Sequence, residues 1–375
     1  MATYTVPCPG SSLHLTDWNF TSSDKADSVH GIHPYPAKFI PEIPSALIDH
    51  LNPTKGTAIL DPFCGSGTTL VAAQSRGYDS VGIDLNPIAC LISRVKTAPL
   101  SPSFLDVARD CVTQAETDKS TEIPEIPNLA HWFTSESQLG IGRLIRAIDK
   151  AEGVLGDALR LALSSIIVRV SNQDSDTRYA SVSRNIVKEQ VYSYFLASCK
   201  RLAQIKANRN NIEPHADVLE RNVLSVRSSE ITRPVGMMIT SPPYPNAYEY
   251  WLYHKYRMWW LGFDPLAVKE QEIGARAHYF KKNPPTADDF KGQMTSVLSL
   301  SNEVLISGGY ACVVIGRSRV HGTDIDNAAL VDKSAKELGF RIITRLDREI
   351  AVGRKSFNLS HARIKTEAIL VYGKP

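Results

Sequence analysis

The residues able to do chemistry concentrate in two stretches, DPFCGSGTT from Asp61 to Thr69 and TSPPYPN from Thr240 to Asn246. In the first, Gly65 and Gly67 permit a tight turn and let backbone approach a ligand, and the helix expected to follow offers unpaired amide donors at its N-terminus. No Lys follows the turn in the manner of a P-loop, which counts against ATP. Asp84 stands about 20 residues beyond the turn, where a carboxylate can accept from both ribose hydroxyls at roughly 1.5–3 kcal/mol per charge-assisted bond. A glycine turn alone is also read as a plain strand-to-helix connection; with Asp84 it favours a ligand that contains a nucleoside. In the second stretch, two successive prolines hold the backbone extended and remove two amide donors, leaving carbonyls free for other partners. Ser241 Oγ and the Pro242 carbonyl can together accept both hydrogens of a ring-conjugated amino group. That draws the nitrogen towards tetrahedral geometry and frees its lone pair. Tyr244 offers a flat face to a base swung out of its stack, a contact typically contributing about 1–3 kcal/mol. Pro-Pro-Tyr also occurs in linkers and peptide ligands, but here it directly follows the apolar run VGMMIT.

These groups need a frame. TAILD reads as a buried strand, the glycine turn follows, TLVAAQSRG reads as a helix, and SVGIDLNP as a second strand ending on an acid. This is a unit of a doubly wound α/β sheet, with ligand expected at the carboxyl ends of the strands. VGMMIT and YACVVIG supply further strands, and FRIITRLDREI with TEAILVYGK a closing antiparallel pair. Between them lie longer apolar patterns of helical character, such as GRLIRAIDKAEGVLGDALRLALSSIIV and EQVYSYFLASCKRLAQI. The expected division is therefore residues 1–100 with the cofactor loop, a helical insertion over 101–215, and 216–375 with the Pro-Pro stretch.

Composition fits a globular chain: 43% of the 375 residues are hydrophobic and 22% charged. No run reaches the roughly 20 apolar residues of a membrane span. The start, MATYTVPCPGSSLH, has neither a basic leader nor an apolar stretch, so a cytoplasmic location is expected. The six cysteines (Cys8, Cys64, Cys90, Cys111, Cys199 and Cys312) show no paired short spacing, which suggests reduced thiols and neither disulfides nor a metal site. The net charge of +3 is small, but residues 245–375 carry 19 Lys and Arg against 14 Asp and Glu, whereas 101–215 are balanced at 14 each. A basic surface therefore leans to the C-terminal third.

The two stretches, in this order and context, resemble the amino-methylating bacterial DNA methyltransferases. Ser241-Pro242-Pro243-Tyr244 is similar to that family's catalytic signature, and DPFCGSGTT to its cofactor loop. HPYPAKF, His33 to Phe39, resembles the segment that closes over the methionine part of the cofactor. GIDLNP resembles the ribose-binding element, and LERNVLSV around Asn222 the element at the adenine ring. The likeness covers residues 29–99 and 219–375. It implies a Rossmann-like seven-stranded methyltransferase sheet, S-adenosylmethionine as cofactor, double-stranded DNA as substrate and direct in-line methyl transfer needing no metal and no covalent intermediate. By resemblance the cofactor residues are Tyr35, Pro36, Lys38, Phe39, Asp61, Phe63, Gly65, Gly67, Thr68, Asp84 and Asn222. The Ser form of the signature is associated with the 4-amino group of cytosine, while Asp and Asn forms are associated mainly with the 6-amino group of adenine. A non-catalytic DNA-binding protein on the same fold and an RNA or protein-amide methyltransferase are the alternatives from other classes. A cognate restriction endonuclease is a candidate partner, and the oligomeric state is left open.

Other features carry weaker expectations. Cys8 in PCPG has the form of a carbon-methylating nucleophile but precedes the cofactor loop by more than 50 residues, the wrong side for that role. VSNQDSDTRYA, Val170 to Ala180, reads either as a DNA- or cofactor-facing loop or as a solvated connection. Most rings of YEYWLYHKYRMWWLG, Tyr248 to Gly262, belong to core or interface, with Tyr250, Lys255 and Arg257 as candidates for contacts near the target strand. Target recognition is expected from the insertion or from residues 261–290.

Overall fold

The computed structural model describes residues 12–20, 28–176, 178–207, 214–246, 248–350 and 366–375; Cys8 lies outside them. The first quarter of the chain forms α1 (Glu42–Leu51), β1 (Ala58–Asp61), α2 (Thr68–Gln74), β2 (Ser80–Asp84) and α3 (Pro87–Thr97). The start of α3 is written locally: Asn86 accepts from the Ile88 amide and Pro87 takes the first helical position. Next come α4 (Phe104–Thr117), α5 (Leu129–Trp132), α6 (Ser135–Ile148), α7 (Gly153–Ile166), the hairpin of β3 (Gln173–Ser175) and β4 (Arg178–Ser181), and α8 (Lys188–Ala207). The apolar pattern spanning residues 142–168 is thus two helices, broken at residues 149–152. The polar stretch at 170–180 holds β3 and all of β4 but its last residue.

The chain continues with β5 (Ala216–Glu220), β6 (Val235–Thr240), α9 (Tyr250–Trp260), α10 (Pro265–Gln271), α11 (Ala287–Val304) and β7 (Leu305–Gly316). A hairpin of β8 (Ser318–Val320) and β9 (Thr323–Ile325), then α12 (Asn327–Glu337), β10 (Arg341–Glu349) and β11 (Thr366–Gly373) complete it.

Seven strands form one sheet in the order β10-β11-β7-β6-β1-β2-β5. The five from β5 to β7 are parallel, while β11 pairs antiparallel with both β7 and β10. This is the α/β sheet expected from the sequence. Side chains alternate between its faces with the period of two that a pleated strand imposes. Leu60, Met238, Val313 and Leu370 face a core shared with Phe290, Met294, Val297 and Val331 of α11 and α12. Their neighbours Ile59, Met237, Ile239, Cys312 and Ile369 face Ile43, Leu47, Ala72 and Ala73 of α1 and α2. A third apolar cluster joins α3 to α4, α6, α7, α8 and α9 through residues such as Ile92, Phe104, Leu144, Leu159, Phe195 and Trp260. The five described cysteines are buried and unbridged. Among the described residues, no helix is long and apolar enough to cross a membrane.

Because β2, β1 and β6 are parallel neighbours, Asp84, Asp61 and Thr240 all end their strands at one edge of the sheet. The chain reverses its strand order between β1 and β6, the switch point where open α/β sheets leave a crevice.

Candidate active site

A cavity of about 560 Å³ opens at that edge, within the roughly 300–1,000 Å³ usual for small-molecule sites. Its walls include Asp61, Phe63, Gly65, Thr68, Asp84 and Asn222, the segment residues Tyr35, Lys38 and Phe39, and Ser241, Pro242, Pro243 and Tyr244. Residues far apart in the chain therefore share one space. Pro36 and Gly67 are outside this lining. Gly67 (φ 76°) turns its Cα towards α3, where a Cβ would lie 2.7 Å from Ser93 Oγ, so its glycine serves packing behind the loop.

Two carboxylates shape the loop between β1 and α2. Asp61 accepts from the Phe63 amide at 3.1 Å and from Thr240 Oγ1 at 2.7 Å. Asp84 accepts from the Gly65 amide and the Asn86 amide, each at 2.8 Å. Burial, the dominant cause, raises both carboxyls to about 6 against these stabilising hydrogen bonds. Each Asp84 oxygen accepts one amide proton and retains lone-pair capacity for a further donor. Acceptor capacity at the end of the second strand, beside a glycine loop, fits a ribose-bearing cofactor.

Tyr35 covers the loop: its hydroxyl would stand 3.2 Å from a Cβ placed on Gly65, and its ring stacks on Tyr250 with centroids 5.8 Å apart. Lys38 donates to the carbonyls of His30 and His33 at 2.7 and 3.0 Å, drawing this segment into a turn. His33 accepts or donates at Ser164 Oγ of α7, 3.0 Å away. Asn222 accepts from the Leu224 amide at 3.0 Å at the cavity's outer edge.

Opposite the loop, Tyr244 donates its hydroxyl to Glu367 Oε1 at 2.9 Å, and Glu367 in turn pairs with the buried Arg348. Glu272 accepts from the Tyr250 and Trp251 amides, each at 2.8 Å, at the start of α9. Burial lifts its carboxyl to about 8, ahead of the opposing effect of those amides. Glu272, Arg348 and Glu367 line the cavity without local sequence signature, as do Gln271 and Arg276. Of the three α9 candidates, Tyr250 faces the cavity. Arg257 does not: it is 1% exposed, paired with Asp176 and donating to the Ser164 carbonyl at 3.1 Å, so it ties α9 to α7 and to the segment after β3. Lys255 lies over the Tyr179 ring at 4.6 Å.

Residues 7–94 match the family described as DNA methylase. Type II methyltransferase M.MjaII of Methanocaldococcus jannaschii is 44% identical over 86 residues, 21% of this chain and 16% of that protein. Type II methyltransferase M.MvaI of Kocuria varians is 23% identical over 253 residues, covering 61% of this chain and 56% of the relative. Type II methyltransferase M.BsoBI of Geobacillus stearothermophilus is 23% identical over 283 residues, 66% and 55% respectively. The chain thus spans little more than half the length of the latter two and a sixth of the first. The family match supports S-adenosylmethionine as the cofactor.

Proposed function

We infer that this chain, a relative of the DNA amino-methyltransferases, methylates the exocyclic amino group of a base in double-stranded DNA, and that the base is cytosine, modified at its 4-amino group. The observation that carries the reading is the single cavity shared by the Asp84–Gly65 loop and by Ser241 to Tyr244. In it, Asp84 accepts from the ribose hydroxyls, the loop backbone lies against the cofactor, and Tyr35 and Phe39 cover it. Asn222 reaches the adenine side. Bound there, S-adenosylmethionine supplies an electrophilic methyl on its sulfonium sulfur.

Ser241 Oγ and the Pro242 carbonyl accept the two amine hydrogens, Pro243 keeps that carbonyl in its extended setting, and Tyr244 stacks on the displaced base. Holding amine and methyl in line contributes up to roughly 7–11 kcal/mol at the upper end of such effects. The assignment to cytosine rests on the association of the Ser form of the signature with that base; Ser241 both donates and accepts, and so can pair with the ring nitrogen or the amine of cytosine and of adenine alike. The relatives bear the name Type II methyltransferase, which supports a site-specific enzyme; a cognate restriction endonuclease as partner is part of the same proposal.

The test is to incubate purified protein with methyl-labelled S-adenosylmethionine and separate samples of mixed-sequence DNA, RNA and protein, then digest the labelled DNA to nucleosides for mass spectrometry. Label in DNA as 4-methylcytosine is expected. Label solely as 6-methyladenine overturns the base, and label confined to RNA or protein overturns the substrate class.

A further inference from the structure

The 3-10 turn Arg276–Phe280 leaves the cavity wall and ends on Phe280, which is 71% exposed and the only exposed aromatic among the described residues. A scattered surface hydrophobe needs no explanation. Phe280 differs in being rigidly presented. Tyr279 before it is buried, the Ala277 amide donates to Glu249 Oε1 at 3.1 Å, and His278 Nε2 sits 2.8 Å from the Lys269 carbonyl.

The same segment is pinned to the Pro-Pro-Tyr stretch: the Asn246 amide donates to the Gly274 carbonyl at 3.0 Å, and Glu272 holds the start of α9. Arg276 lines the cavity and places its guanidinium 5.4 Å from the Phe280 ring centroid. At about 2 Å of rise per residue, the turn sets Phe280 roughly 8 Å beyond that cavity residue, less than the roughly 12 Å width of a major groove. Residues 276–282, RAHYFKK, include Arg276, Lys281 and Lys282 and no carboxylate. Lys281 meets Glu270 at 3.0 Å with both side chains largely exposed, a pairing that phosphate can displace at little cost.

We propose that Phe280 is a wedge that enters a DNA duplex beside the displaced base, with Arg276, Lys281 and Lys282 on the flanking phosphates. The proposal rests on the DNA reading above. Displacing a base leaves an unstacked gap that costs a few kcal/mol. An apolar ring inserted between base steps offsets part of that loss while hiding itself from water, a device that DNA-bending proteins use with Phe and other apolar side chains.

The experiment compares wild type, Phe280→Ala and Phe280→Leu on a duplex carrying the methylated sequence mapped with the wild type, and on the same duplex with the target base in a mismatch. Phe280→Ala should lower turnover on the matched duplex by about tenfold or more, with Leu intermediate, because the flipping penalty is no longer offset. On the mismatch, whose base is already loosened, the deficit should shrink to about threefold or less. Affinity for S-adenosylmethionine should be unchanged in both variants, which distinguishes a wedge from a general structural role. Equal losses on both duplexes, or an unaffected Phe280→Ala, overturn the wedge and leave the DNA reading standing. A wild type that labels no DNA overturns the substrate reading and the wedge with it.

Discussion

Thr240 Oγ1 donates to Asp61 Oδ1 at 2.7 Å across 179 positions of chain, joining the last residue of β6 to the last residue of β1. One residue later the two strands diverge, Pro62 into the glycine loop and Ser241 into the Pro-Pro-Tyr stretch. The bond therefore fixes the spacing of the two halves of the site.

Thr240→Val keeps the shape of the side chain and removes that donor. A buried carboxylate then loses one partner, so stability should fall by about 1–3 kcal/mol. Asp61 is raised by burial to about 6, so its protonated form is favoured in the fold. Its contribution is fully present below the unfolded value of 3.8 and is lost as pH rises through about 6. Removing a donor to the carboxylate raises the folded value further, so the deficit should be larger at pH 8 than at pH 5. Urea unfolding at both pH values measures it; equal deficits would mean that the bond does not act on the charged form.

In the proposed cofactor site, Asp84 predicts a pH signature for binding. Its ionised form is the better acceptor for ribose hydroxyls, and burial holds its carboxyl near 6 in the free protein. Affinity for S-adenosylmethionine should rise with pH through about 6 and level off above 7. Asp84→Ala should bind at least about tenfold more weakly at pH 8, a loss of about 1.4 kcal/mol, and show no such rise. Titration calorimetry across this range is the check, and a wild-type profile flat from pH 5 to 8 would remove Asp84 from the site.

Tyr244 has two separable jobs. Its hydroxyl donates to Glu367, while the proposed base stack uses its ring. Tyr244→Phe should destabilise the fold by about 1 kcal/mol through the lost hydrogen bond and keep most of the turnover. Tyr244→Ala should lose a stack of about 1–3 kcal/mol, roughly five- to 150-fold in rate. Equal turnover losses in both variants would transfer the catalytic role to the hydroxyl.

Gly274 stands at φ 75°, and a Cβ there would lie 2.6 Å from the Tyr244 carbonyl oxygen. Gly274→Ala must therefore displace the backbone that carries Tyr244 and Pro245. Misplacing a reacting partner by about 1 Å can cost on the order of a hundredfold in rate. The expected result is a large fall in turnover with cofactor affinity nearly unchanged, read by steady-state kinetics beside calorimetry. Parallel loss of both would mean that the displacement reaches the cofactor loop.

What the sequence disclosed about this site was its local part. A strand running into glycines and a helix, or into Ser-Pro-Pro-Tyr, is written in consecutive residues, and β1, β2, β6 and α2 form where those patterns lie. The pairs that close the cavity have no such signature. Thr240 with Asp61, Tyr35 with Tyr250, and Tyr244 with Glu367 meet only because the sheet brings distant strand ends together. Glu272 sits in an unremarkable Gln-Glu pair, and its role at the α9 amides depends on where Gly274 returns the chain. Arg257 misleads for the opposite reason: a cation among aromatic residues suggests a DNA contact, yet the helix turns it inward to Asp176.

That inward turn bears on any attempt to exchange residues 101–215 between relatives. The inserted helices share their core with α3, which follows Asp84, and with α9, which follows the Pro-Pro-Tyr stretch. Arg257 and His33 both fasten to Ser164 within them. A chimera cut at residues 101 and 215 would strip the apolar faces of α3 and α9 and leave a buried guanidinium without its carboxylate. The exchangeable cassette is larger than the contiguous insertion, because it must carry both flanking helices and the His33 segment with it.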